Sequence, residues 1–424
     1  MRSIKIKFIS IVCVLISLST YAQLSGTYTI GGAAPDYATI NAAISALHTV
    51  GVSGPVIMNI RAGIYNEQFS INDITGASSL NTITIKSETN NAADVLINRD
   101  NSLSNNYIVE LFNTSYINIE HITFTVTTPN SAWHNGTIIY LSNVHDISVK
   151  HCVMNGLTHI GSYNQLSAVL CANQFSYYYN ISIEDNVINN GSYSIDFRNG
   201  TLTTQNIFIS SNTFSNPGGI AIYIYNIQNN VSITDNTIVN TQNYINIAIE
   251  VTNCQNNLKV KNNSINVTVS QFCVKLYNCS GEFTNNFILN SSSPGHALTL
   301  SSCQQLNIHH NNFKFELFGI SFDNGNLGIE VLNNNFKTVN GYALNCGSQS
   351  INTTFSNIDY NNYYISGNGA IYQGIANLKC TEASTALYGF DEHSLSVDPL
   401  YTSVNDLHAN NILLKNAGTS VGEP

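Results

Sequence analysis

The chain of 424 residues has 15 Lys and Arg against 25 Asp and Glu, so only 9% of it is charged, well under the roughly 25% of an average domain. Its net charge of −10 excludes nucleic-acid binding by counterion release and attraction to an anionic membrane surface. With 43% hydrophobic and 10% aromatic residues it is not disordered, and its 64 Asn, about 15% of the chain, ask for many equivalent turns, since helix interiors and strands disfavour Asn.

In chain order, Arg2, Lys5 and Lys7 precede an apolar run from Phe8 to Leu18, and Thr20-Tyr21-Ala22 offers a small-x-small cleavage site. Residues 1–22 therefore read as a signal peptide too short to span a bilayer. Its removal takes the net charge to −13 and predicts an exported, extracellular or cell-surface protein with no inserted segment. Ile40, Ala43, Ile44 and Leu47 then make an i, i+3, i+4, i+7 stripe, a short amphipathic helix ended by Gly51. Residues 23–105 form an N-terminal cap with the first coils.

Regular repeats occupy 106–365. The pattern apolar-x-apolar-x-x-Asn-x-apolar recurs with Asn186, Asn212, Asn236, Asn263, Asn286, Asn311 and Asn334, and a weaker copy ends on Asn361. Their intervals of 26, 24, 27, 23, 25, 23 and 27 average 25 residues. Ile122 and Cys152 replace the Asn in two earlier copies. A second series, apolar-x-apolar-x-Asn, keeps the same period through Asn113, Asn143, Asn173, Asn199, Asn226, Asn253 and Asn278, with Ser302, Asn324 and Ser348 completing ten coils. Period-2 strands this short cannot bury their apolar faces singly, so the coils must stack. The expectation is an all-β, right-handed parallel β-helix. Its Asn residues should stack at one corner, in left-handed backbone, bonding along the column. Residues 366–424 should cap the far end, with a second short helix over Ala376–Leu387.

The segments SGTYTIGGAAPDYATINAAISAL and GVSGPVIMNIRAGIYNEQ within 25–68, and FDEHSLSVDPLY with NDLHANNILLKNAGTS within 390–420, resemble the two end segments of secreted β-helix proteins of the pectate-lyase-like superfamily, common among Bacteroidota. The resemblance covers nearly all of the chain after residue 22. It implies the β-helix fold, and a fragment of a surface protein exported by type IX secretion, whose sorting domain does not follow here. The superfamily holds lyases, hydrolases, epimerases, esterases and non-catalytic adhesins, so the resemblance leaves activity open.

No complete catalytic motif follows. Gly63-x-Tyr65-x-Glu67 matches a short pectin methylesterase motif, without the other esterase signatures, and reads as a tight turn. Tyr388-Gly389-Phe390-Asp391-Glu392-His393 resembles the Tyr-Gly-Phe-Asp-Pro-His motif of alginate epimerases, with Glu392 in place of Pro. Gly295-His296-Ala297 is a fragment of the polygalacturonase Gly-His-Gly. No spacing suggests a zinc or calcium site, and no cofactor is expected. Cys254, Cys279 and Cys303 should stack as buried thiols, one bridge among them being the alternative, while Cys171 and Cys346 read as inward strand positions.

The strand registers place an outward strip of Asp196, Arg198, Tyr223, Tyr225, Glu250, Thr252, Lys275 and Tyr277 on four consecutive coils. Aromatic faces suit sugar C–H surfaces, and the charged groups suit hydroxyls or uronate carboxylates. A second strip holds Glu120, Lys150 and Glu184, with His121, His151 and Asp185 one step on. Insertions carrying Trp133 and His134, then His159 and Tyr163, and the Tyr177-Tyr178-Tyr179 loop are further contact candidates. The expected function is binding of a polysaccharide or cell-surface glycan by a single chain, without catalysis. The alternatives are a polysaccharide lyase, epimerase or hydrolase using Arg198, Lys275, His121 or His151 as base, or a structural spacer.

Overall fold

A segment whose apolar side chains alternate buries only one face, and parallel stacking is how successive short segments share that face. The computed structural model describes residues 22–99, 105–127, 136–158, 168–199, 204–227, 229–240, 247–267, 271–291, 294–347, 351–373, 389–403 and 406–421. Three parallel sheets of 13, 12 and 12 strands wrap one core as a right-handed β-helix. One coil runs Tyr178–Glu184 in the first sheet, Val187–Asn189 in the second and Tyr193–Arg198 in the third, then returns at Gln205–Ser210. The column exceeds the ten coils counted from Asn, because its first turns, such as Ile83–Ser87 and Val95–Arg99, stack without that residue.

Ile183, Ile209, Ile233, Val260, Phe283, Ile308 and Val331 pair in register and are fully buried. Each such side chain contributes about 1.5–3 kcal/mol of burial. At the corner that follows, the ladder Asn are buried and saturated. Asn212 Oδ1 accepts from the Asn186 backbone N–H (3.0 Å) and amide (3.0 Å). Its own amide donates to Asn236 Oδ1 (3.1 Å), to Ile183 O (2.8 Å) and to Ser210 O (3.0 Å). The same links run from the Cys152 N–H on Asn186 to Asn361.

The expectation of left-handed angles at these Asn needs correction. The left-handed residue is the one before each: Asp185, Ser211, Asp235, Asn262, Asn285, His310 and Asn333. That residue makes the bend, and the Asn after it is thereby turned inward, where its amide replaces lost strand partners. In the second series the Asn itself is left-handed at 113, 143, 226, 253 and 278. A further outer stack, Asn180, Asn206, Asn230 and Asn257, is also left-handed and bonds amide to amide at 2.7–2.9 Å.

Thiols replace amides at some corners. As Asn212 does, Cys152 reaches the carbonyl two residues back (Lys150, 3.2 Å) and one in the preceding coil (Ile119, 3.7 Å). Cys279 reaches Tyr277 and Val251, and Cys303 reaches Ser301 and Leu276. The seven described cysteines are buried and free. Cys171 faces outward, not inward as its alternation suggested. Leu170 and Ala172 pair with Ile195 and Phe197, so the true register is one residue off, and a one-residue slip exchanges faces.

The ends are covered, which removes open sheet edges. The helix Ile40–Val50 packs Ile40, Ala43, Ile44 and Leu47 over the first coil, between a Thr39 N-cap and Gly51. Glu67 bonds the N–H groups of Ile40 (3.1 Å) and Asn41 (2.9 Å), and Tyr65 donates to Arg61 O (2.8 Å), so the esterase-like motif builds a cap. At the far end, buried Asp391 accepts from the Tyr363 hydroxyl (3.0 Å), the Tyr372 hydroxyl and the Ser394 hydroxyl (2.6 Å). Ser394 Oγ also receives the Asn361 N–H (2.9 Å), ending the ladder. The epimerase-like motif is therefore spent on closure. The helix expected over Ala376–Leu387 lies outside the described residues, as do residues 1–21 of the expected signal peptide. Among the described residues no helix is long and apolar enough to cross a membrane.

Candidate glycan groove on the third sheet

The third sheet presents three outward columns. The first runs Asp196, Tyr223, Glu250, Lys275, Thr299 and Ser321, and the second Arg198, Tyr225, Thr252, Tyr277 and Ser301. A third stands at the strand starts: Phe272, His296, Phe318 and Tyr342. It faces out because the next residue in each strand is small and takes the inward place: Cys273, Ala297, Gly319 and Ala343. A Cβ on Gly319 would lie 2.5 Å from the Ala343 carbonyl oxygen, so that turn tolerates nothing larger.

At its lower end the strip is sealed. Asp196 is fully buried and grips the Arg198 guanidinium at Nε (2.7 Å) and Nη2 (2.9 Å). Burial pushes the Asp196 carboxyl up to about 6, with Arg198 opposing. Tyr193 and Tyr223 take the Arg198 guanidinium at 5.1 and 4.7 Å from their ring centres. Ala168, Cys171, Tyr193, Ile220 and Ile247 complete a small outer cluster there. Asp196, Arg198 and Tyr223 were expected as an open binding surface; they are occupied with one another.

Further along, the face opens. Glu250, Thr252, Lys275, Tyr277, Thr299, Ser301 and Asp323 line a groove of about 210 Å³. Tyr277 is 49% and Tyr225 39% exposed, so both offer ring surface. Lys275 Nζ lies 5.1 Å from the Phe272 ring centre, and the Phe272, His296 and Phe318 rings follow one another at 4.8 and 4.7 Å. Among the described residues the Thr299 hydroxyl and His296 Nδ1, both closed off from solvent, meet no hydrogen-bond partner. Burial lowers His296 to about 4, so it is neutral at physiological pH, and raises Glu250 against the pull of Lys275 and Arg198. The ensemble offers hydroxyl, carboxylate and ammonium partners beside flat aromatic surface.

The other sequence candidates are elsewhere. His121 and His151 stack at 4.6 Å on the left-handed corner between the first and second sheets, with Asp185 next in line, 3.9 Å from His151. Burial first, and His151 second, lower His121. Glu120, Lys150 and Glu184 pair in register on the first sheet, Lys150 and Glu184 at 2.5 Å. Tyr178 is a correction: it is buried in the core against Phe197, where the phase of its strand turns it inward. Trp133, His134, His159 and Tyr163 lie outside the described residues. Sequence reasoning missed the Phe272–Tyr342 column, Thr299 and Asp323, although the intervals 24, 22 and 24 between the column's residues carry the coil period. Among the described residues no three His, Cys, Asp or Glu side chains are placed to hold a metal ion.

No family model and no curated protein sequence matches the chain. Solved structures similar to it include a pectin methylesterase from Aspergillus niger, 12% identical over 69% of this chain and 88% of that one, with a TM-score of 0.33. A GH136 lacto-N-biosidase from Eubacterium ramulus is 12% identical over 74% and 64%, with a TM-score of 0.42. The PL6 family alginate lyase AlyGC is 11% identical over 94% and 57%, with a TM-score of 0.31. Likenesses at this level carry nothing about chemistry, so the groove is read from its own side chains.

Proposed function

We propose that the protein is an extracellular glycan-binding β-helix that holds a polysaccharide along the third sheet, from Tyr225 to Tyr342. The observation that carries this reading is the groove lined by Glu250, Thr252, Lys275, Tyr277, Ser301 and Asp323, with exposed Tyr277 on one side and an aromatic column on the other. The column Phe272, His296, Phe318 and Tyr342 repeats an aromatic ring at the coil rise of roughly 4.8 Å, so a polymer meets ring surface in successive coils and gains affinity by repetition. The leader read at residues 1–22 would deliver the chain to where such polymers occur.

Binding is preferred to turnover because the residues considered as bases do not gather in the groove. Arg198 is committed to Asp196, and His121 and His151 lie on another corner, which leaves Lys275 there with Glu250 and Asp323. The test is affinity electrophoresis of the whole chain through gels containing polysaccharides, with Tyr225→Ala/Tyr277→Ala as control. Retardation by a polymer should be lost in the double variant while its circular dichroism is unchanged. Unaltered retardation would remove the groove from the reading. Product release by wild type, abolished by Lys275→Ala, would replace binding by catalysis.

A further inference from the structure

We infer that the groove takes an uncharged pyranose polymer and turns uronate polymers away; this rests on the glycan-binding reading above. The described ionisable groups of the outer face are Glu110, Asp196, Glu250 and Asp323 against Arg198 and Lys275, with His296 neutral. Recognition of a uronate carboxylate relies on an open guanidinium fork or on a cation not already shared. Arg198 supplies neither: Asp196 holds Nε and Nη2, and Tyr193 and Tyr223 pack near the guanidinium. Lys275 stands next in register to Glu250, and Asp323 lines the same groove. One shared ammonium would thus face a ligand carboxylate at every sugar, between two protein carboxylates.

The neighbouring sequence does not restore the balance. Stretches 128–135, 159–167, 200–203, 241–246, 268–270 and 292–293, which lie beside third-sheet strands in the chain, contain no Asp, Glu, Lys or Arg, 100–104 adds only Asp100, and 374–388 holds one Lys and one Glu, so none of them adds net positive charge. The chain as a whole is at −10, so its long-range field also opposes a polyanion. What the groove does supply suits hydroxyls. Glu250 and Asp323 accept from sugar O–H groups, Thr252 and Ser301 can donate or accept, and Tyr277 offers ring surface to C–H groups.

The experiment is a binding panel with the intact chain: polygalacturonate and alginate against uncharged β-glucan, mannan and xylan, in low and high salt. The expected result is binding to an uncharged polymer, changing less than about two-fold between roughly 0.05 and 0.5 M NaCl, and none to the polyuronates. Glu250→Lys, which reverses one groove charge, should gain polyuronate affinity about ten-fold in low salt and lose it in high salt. Wild-type binding to a polyuronate that fades with salt would overturn the inference and leave the glycan reading standing. Binding to no polymer by a folded chain would end both. The wild-type panel decides this whether or not Glu250→Lys folds.

Discussion

The corner between the first and second sheets and the outer face of the third are built from the same repeat, yet differ in one respect. At the corner every ladder amide is answered by the next: Asn236 takes two bonds from Asn212 and gives its own to Asn263 and Ile209. On the third sheet Tyr225 and Tyr277 keep ring surface exposed, and Glu250, Lys275 and Asp323 line an open groove. Repetition of a polar residue in a buried stack is therefore structural when its bonds close on themselves. Side chains stay open to solvent where they do not close.

The largest expected effect tests closure. Asn236→Leu strands the Asn212 N–H and the Ile209 carbonyl, and should cost about 3–5 kcal/mol in urea unfolding. Asn236→Cys should cost distinctly less, about 1–2 kcal/mol, because the thiols of Cys152 and Cys279 reach Ile119 O and Val251 O, the preceding-coil carbonyls equivalent to Ile209 O. Equal losses in the two variants would mean that the bonds do not matter and only packing does.

The next concerns the sealed end of the third sheet. Asp196 titrates near 6 in the fold against 3.8 in the open chain, so the folded state holds its proton more tightly in that window. A raised carboxyl lowers stability as pH rises through it, here by on the order of 2–3 kcal/mol. Asp196→Asn cannot titrate. The stability of wild type minus that of the variant should therefore fall by this amount from about pH 4 to pH 7. A flat difference would show that Arg198 already compensates the burial.

Ser394→Ala probes the point where the ladder meets the cap. It removes the acceptor of the Asn361 N–H and a donor to Asp391, and should cost about 1 kcal/mol or slightly more. Smallest in stability is Tyr225→Ala/Tyr277→Ala, expected within about 0.5 kcal/mol of wild type because both rings are largely outside the core. If that pair instead destabilises the fold strongly, the contrast between a closed corner and an open face fails.

Much of this architecture could be read from residue order. The 25-residue period, the Ile40–Leu47 stripe and the alternation that buries Ile183, Ile209 and Ile233 state the coil, its cap and its inward face, because apolar periodicity is a local property. Alternation failed where a bend interrupts it. Cys171 changed faces, Tyr178, read as part of a contact loop, starts a strand and turns inward, and the Phe272–Tyr342 column hid behind the extra inward residue at each strand start.

The sequence by itself therefore determined the fold and its corner ladder, since both follow from a repeat that stacking must bury. Which outward residues are spent and which stay open was settled only in three dimensions. Asp196, Arg198, Glu250 and Lys275 look alike as charged positions on one strip, one or two to a coil. Asp196 and Arg198, two residues apart on one strand, close on each other, but only the stacking of coils covers them with Tyr223 and leaves Glu250 and Lys275 lining a groove with Thr299 and Asp323. Contacts between residues some 25 positions apart depend on side-chain direction and on what covers them, and neither is a property of the local sequence.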